Sequence, residues 1–323
     1  MEIRLNSPRT NMDRGETWKR WVALDELRGV AVVSMVLAPL LLFTSVPFWV
    51  KHASSGLYLA DLVLPVFLFS MGAGYRMSFE RRRGVETAAQ LCRSYLLRNG
   101  ILMIFGALGE IAVYHEMRWH WSVLEEIGLA GMVVFPMLFL SAKMRATLAI
   151  ALPILWQAMV SLGYKPVALR YDLGGPLASL AWCSIVLAGT LAADARDKGC
   201  EGRLLVKMVI GAVCVSGFSS VFFPVSKLVV TLPYVGIGIG FPALLLLGLV
   251  AKGERRGAWK VLAAFGKNPL LIYILSGFEW LIVKATCPPS LAPMEVFAVL
   301  AGAVLVFGVI ACTLDERRVY LKA

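Results

Sequence analysis

The chain has 323 residues, 59% hydrophobic and 16% charged, with a net charge of +11 and a mean hydropathy of +0.73. A soluble globular domain is nearer half apolar, so this composition excludes one and points to a multi-span membrane protein. The cations fall between apolar runs, so the positive balance reads as orientation in a lipid bilayer and not as affinity for nucleic acid.

In chain order, residues 1–28 are polar, with acids among the bases. They are too long and too mixed for a cleaved signal peptide and are expected to form an N-terminal segment in the cytoplasm. A helix needs about 20 mostly apolar residues to cross the hydrocarbon core. By that rule about ten spans follow, at 29–49, 57–77, 96–114, 123–142, 146–163, 174–193, 204–223, 229–250, 261–283 and 292–313. The expected fold is all-α: a polytopic integral membrane helix bundle, one domain over 1–323, with the bundle at 29–313 and a short tail at 314–323. Pro65, Pro136, Pro153, Pro242 and Pro269 fall inside spans and predict kinks whose freed carbonyls are met by neighbouring helices. The run of Gly236, Gly238 and Gly240 follows no strand, so it reads as close helix packing and not as a phosphate-binding loop.

Charge then orients the bundle. With the N-terminus inside, the outer segments hold only Lys51, Arg118, Lys165, Arg170, Lys227 and Lys284 of the 32 lysines and arginines. The rest lie on inner segments, with Lys267 near the inner end of the ninth span. The positive-inside rule therefore puts both termini in the cytoplasm, and Trp49, Trp119, Trp121 and Trp280 form the outer aromatic belt. The six cysteines show no paired spacing, and only Cys287 falls on the outer side, so no disulfide framework is expected. No metal-ligand spacing occurs, and no metal is expected.

The candidate chemistry gathers on the outer side. The three histidines, His52, His115 and His120, fall there with Asp61, Glu110, Glu125, Glu126, Glu279 and Glu295. An ionisable residue at the edge of lipid is costly to keep charged and is a functional candidate by default. His52 and Asp61 flank the start of the second span. A histidine there can act as general base or accept an acyl group itself, or it can be an ordinary interfacial residue. A carboxylate in the position of Asp61 can fix the ring tautomer and stabilise the imidazolium. Glu110 lies inside its span and, with Glu125 and Glu126, is a candidate for contacting substrate. Glu125 and Glu126 are adjacent, hence about 100° apart on a helix, so at most one points squarely into a shared cavity.

The stretch LDELRGVAVVSMVL (Leu24 to Leu37) and the following KHASSGLYLADLVLPVFLFSMG (Lys51 to Gly72) resemble the opening of the heparan-α-glucosaminide N-acetyltransferase family, membrane-embedded acyltransferases with bacterial relatives. The likeness continues in order at 173–195, 224–235 and 265–275. The resemblance implies acetyl-CoA from the cytosol as acyl donor and an amine or hydroxyl of a saccharide, or another small molecule, outside the membrane as acceptor. It implies a bacterial inner membrane as the location. It matches the catalytic histidine to His52 and its aspartate partner to Asp61, and it matches Asn268 to a recurrent late asparagine. Two departures bear on the acceptor. Pro39 stands where the family commonly has an asparagine, and Glu125-Glu126 stand where a Gln-Arg pair is usual.

Coenzyme A is polyanionic and cytosolic, so its phosphates favour the arginines of the inner side, Arg28 and Arg76 first, then Arg81–Arg83, Arg93 and Arg98. Two other functions fit the same chain. One is a catalytically silent membrane partner in a larger assembly, which the two departures favour, and a homodimer or another membrane protein is the partner expected. The other is a proton-coupled transporter, which broken helices and membrane-edge carboxylates favour.

Overall fold

The computed structural model describes residues 20–47, 51, 56–114, 121–253 and 258–320. Among these residues it is helical throughout, without strands, as an all-α polytopic bundle requires. The helices are α1 (Val22–Val36), α2 (Val63–Arg82), α3 (Ala88–Tyr114), α4 (Val123–Met137), α5 (Ala142–Met159), α6 (Lys165–Ala168), α7 (Ser179–Asp197), α8 (Glu201–Ser220), α9 (Leu232–Lys252), α10 (Ala258–Lys267), α11 (Pro269–Thr286) and α12 (Pro293–Glu316). Eight helical stretches among the described residues are long and apolar enough to cross a membrane: Leu59–Arg82, Ala88–Gly109, Ala142–Ala168, Pro176–Asp197, Glu201–Ser220, Leu232–Lys252, Pro269–Thr286 and Pro293–Glu316.

Two of the ten expected spans come out short, for physical reasons. The first, at 29–49, begins earlier, at Val22, and its α-helix ends at Val36. Pro39 has no amide to donate and disfavours the α conformation just before it, so the chain tightens into a 3-10 segment over Ala38–Leu42. The fourth, α4, stops at Met137, one residue past Pro136. At 15 residues each, α1 and α4 are about 22 Å long, less than the ~30 Å hydrocarbon thickness. The expected span at 261–283 is instead two helices, broken where Pro269 opens α11 directly after Asn268.

The described residues fall into two compact units. The larger comprises Leu68–Leu244 and the smaller Trp21–Phe67 with Leu245 onward. In the larger, α7 is the central post, buried along nearly its whole length and packed by α4, α5 and α8. Its small residues allow that. Gly72 of α2 lies against the Val186 carbonyl, and Gly189 of α7 lies against the Phe69 carbonyl, so a Cβ at either glycine would collide with backbone. Gly128 of α4 packs on Met103 and the Asn99 carbonyl of α3, and Gly131 on the Asn99 side chain. That buried asparagine accepts from the Tyr75 hydroxyl and donates to the Tyr95 carbonyl (2.9 Å).

The smaller unit repeats the device. Gly29 of α1 sits on the Leu262 carbonyl and Gly266 of α10 on the Asp25 carbonyl, so α1 and α10 cross at backbone contact. Lys252 donates to both oxygens of buried Glu26 (2.9 and 3.0 Å), and its ammonium lies 3.7 Å from the centre of the Trp259 ring. Lys267 pairs with Asp315 at 2.6 Å, and Tyr320 donates to the same carboxylate.

Candidate functional site

Three polar sites stand out, one in the smaller unit and two in the larger. The first is the head of α2. After Gly56 the backbone runs extended through Tyr58, then turns through a 3-10 segment, Leu59–Leu62, straight into α2. Asp61 lies in that turn and its carboxylate accepts the Tyr58 amide at 3.0 Å. A short acidic side chain three residues into a helix does this naturally, because the first amides have no partner within the helix. Asp61 is nevertheless only 1% exposed, so it is buried beyond what capping needs. His52 lies outside the described residues.

The second site is the start of α4. Glu125 bends back to accept the Ser122 amide at 2.7 Å, closing the first turn. Glu126, next in sequence, points elsewhere, as adjacent helical residues must. It is fully buried, and its two oxygens accept from Trp121 Nε1 (2.8 Å) and Ser179 Oγ (2.7 Å). Ser179 is the first residue of α7, where the helix dipole places partial positive charge. The loop before α7 is pinned by Trp182, which donates to the Leu173 carbonyl (3.2 Å) and meets Tyr234 edge to face. Nearby, Trp156 donates to the Val229 carbonyl at 2.9 Å, and Gln157 accepts the Leu232 amide at 2.9 Å.

The third site is ionic. Arg76 of α2 donates to Asp194 of α7 (2.6 Å) and to the Leu138 carbonyl (2.9 Å), and it pairs with Glu80. Arg145 of α5, fully buried, pairs with the other Asp194 oxygen and donates to the Leu140 carbonyl at 3.3 Å. Arg83 holds the far side of Glu80 at 2.8 Å. Two guanidinium groups thus share one carboxylate and also cap the turn after α4.

The sequence-predicted residues are therefore distributed. Asp61, Arg28 and Asn268 belong to the smaller unit, and Arg76, Glu125 and Glu126 to the larger. Arg28, half-buried, pairs with Asp25 at 3.4 Å. Asn268, 1% exposed, donates to the Val319 carbonyl at 2.8 Å and so ties down the end of the chain after α12. Glu110 lies on α3 where side chains fall outside the described residues. Arg76 meets α4 at its C-terminal end and Glu126 stands near its start, about 18 Å apart along the helix, so those two are not brought together.

Sequence reasoning missed Trp121 and Ser179 as partners of Glu126, Asp194 as partner of Arg76, and Arg145 as the second cation on Asp194. The legible signal was Asp194 itself, an acid near the end of an otherwise apolar helix, which asks for a cation. Among the described residues, no group of histidine, cysteine and carboxylate side chains could hold a metal ion.

Residues 20–144 match a protein family described as a domain of unknown function (DUF5009). The matched stretch contains His52, Asp61, Arg28, Arg76, Glu110, Glu125 and Glu126 and leaves Asn268 outside. No curated protein matches this sequence.

Proposed function

We propose that this protein is a transmembrane acyltransferase. It takes an acetyl group from cytosolic acetyl-CoA and passes it to an amine or hydroxyl of a saccharide on the other side of a bacterial inner membrane, with both termini in the cytoplasm. The observation that carries the reading is Asp61, a carboxylate buried at the head of an apolar 24-residue helix and held still by the Tyr58 amide. It follows His52 in the unit that resembles the acetyltransferase opening.

In this reading His52 takes the proton from the acceptor amine as its nitrogen attacks the thioester carbonyl. The C–S bond then breaks, and the departing thiolate receives a proton. Asp61 fixes the imidazole tautomer and offsets the imidazolium charge. Arg76 is already committed to Asp194, Glu80 and the Leu138 carbonyl, so donor phosphates fall to exposed cations near the α2–α3 turn, Arg81, Arg93 and Arg98. Arg98 lies 5.1 Å from the centre of the Tyr75 ring, which orients it without neutralising it.

The test is an assay of purified protein with acetyl-CoA and a panel of amino sugars, reading free thiol and acetylated product together. Product formation that collapses in His52→Ala and falls in Asp61→Asn supports the reading. Undiminished turnover in His52→Ala removes the assigned role, and substrate uptake into vesicles without CoA consumption replaces the enzyme with a carrier.

A further inference from the structure

Glu279 is the carboxylate that the acyl-transfer reading leaves unused. It stands about 12 Å along α11 from Cys287 and about 16 Å from Asn268, deep within a helix long and apolar enough to span a bilayer. Its position is on the buried stripe. Ile272, Ser276 and Val283 are the buried residues of α11, and Glu279 follows Ile272 by seven positions and precedes Val283 by four. Ile272 packs in an apolar cluster with Val32, Val36, Phe265 and Phe307. Val283 packs in a second cluster with Phe43, Val46, Val296 and Leu300. Glu279, half-buried as a residue, lies between the two clusters along the helix. Both of its carboxylate oxygens are buried, and neither has a hydrogen-bond partner among the described residues.

Among the described residues, the charges of the surrounding helices are paired elsewhere or exposed. On α1, Arg28 pairs with Asp25, and Glu26 takes Lys252. On α10 and α12, Lys267 pairs with Asp315, Glu295 caps the Ala292 amide, and Lys260 and Glu316 are exposed. On α11 itself, Lys284 lies over the Trp280 ring. Asp61 holds the Tyr58 amide. The 3-10 segment Ala38–Leu42, which packs on α11, carries no charge. With no cation or donor for it among the described residues, an ionised carboxylate in apolar surroundings costs far more than a neutral one, and keeping a proton removes that cost.

We propose that Glu279 is a proton-binding site between these clusters, held as the neutral carboxylic acid and exposed for exchange when the 3-10 segment after α1 moves off α11. A short 3-10 piece has poorer hydrogen-bond geometry than an α-helix, which makes it the weaker wall of the site. The inference does not depend on acyl transfer and holds for a carrier as well.

Infrared spectroscopy of the full chain in lipid tests it at neutral pH. A protonated-carboxyl C=O band present in the native protein and missing in Glu279→Gln is the expected result. Native and variant spectra that coincide in that region overturn the proposal. A second measurement needs no variant at Glu279. Dicyclohexylcarbodiimide reacts with protonated carboxyl groups in apolar sites, so peptide mass spectrometry should find the adduct on Glu279. Leu40→Ala, which thins the 3-10 wall, should speed that labelling several-fold. No adduct on Glu279 refutes the proton-binding site, and equal labelling rates refute the gate.

Discussion

The two ends of α4 solve the same problem with opposite chemistry. At its C-terminal end, Asp194 lies between two guanidinium groups, Arg76 and Arg145, which also cap the carbonyls of Leu138 and Leu140. At its start, Glu126 has two neutral donors, an indole and a hydroxyl. The ionic end binds α2, α4, α5 and α7 together with charge-assisted bonds and leaves no carboxylate oxygen of Asp194 to spare. The neutral end satisfies the hydrogen bonds of Glu126 but not its charge. One end is built to hold helices, the other to keep a titratable group dry.

The largest effect should come from breaking the ionic end. Asp194→Ala leaves fully buried Arg145 without its carboxylate and Arg76 with Glu80 alone, and removing one partner of a buried pair costs about 3–5 kcal/mol. The expected outcome, read by size-exclusion chromatography with a thermal ramp in detergent, is loss of monodisperse protein or a large fall in Tm. A variant with native Tm would show that the cluster is solvated and not structural. Gly189→Leu in the neighbouring crossing should be comparably severe, since any side chain there meets the Phe69 carbonyl.

The neutral end should respond more mildly and in a different way. Ser179→Ala removes one donor and leaves a buried carboxylate oxygen unpaired, a cost of about 1–3 kcal/mol. Glu126→Gln keeps the shape and one acceptor, so its Tm should fall less than that of Ser179→Ala. If Glu126→Gln were instead as damaging as Asp194→Ala, Glu126 would be ionised and paired, and the contrast between the two ends would fail.

The sequence made the helical class, the apolar lengths and the candidate acids legible, because hydropathy and charge are local along the chain. It did not show where proline stops an α-helix. Pro39 turned a full span into α1 plus a 3-10 segment, while Pro153 and Pro242 stayed within α5 and α9. The difference lies in what the neighbours supply, which is tertiary. The same limit hid the partners. Arg76 and Asp194 are 118 positions apart, and Glu126 and Ser179 are 53 apart, so no spacing rule joins them. A span expected at 261–283 places Glu279 near its outer boundary. Its place on the stripe through Ile272, Ser276 and Val283 emerges only once α11 is seen to start at Pro269.

The smallest effect comes from a pair with the chemistry of the ionic end but none of its burial. Arg82 donates to both oxygens of Glu86 at 2.7 and 2.6 Å in the turn between α2 and α3, where both side chains are 30% exposed. Those hydrogen bonds hold the Glu86 carboxyl below its ordinary 4.5. A lowered acid contributes stability that is present above its ordinary value and is lost below it, as pH falls through the lowered folded value. Solvent screening keeps such a pair near about 0.3–0.5 kcal/mol. Glu86→Gln should therefore leave Tm at neutral pH almost unchanged, and any difference from the native protein should vanish below pH 4.5. A fall approaching that of Asp194→Ala would mean that charge pairing alone, without burial, holds these helices. The expected order, Asp194→Ala far below Ser179→Ala and Glu86→Gln near native, assigns the strength of the ionic end to the exclusion of water around Arg145.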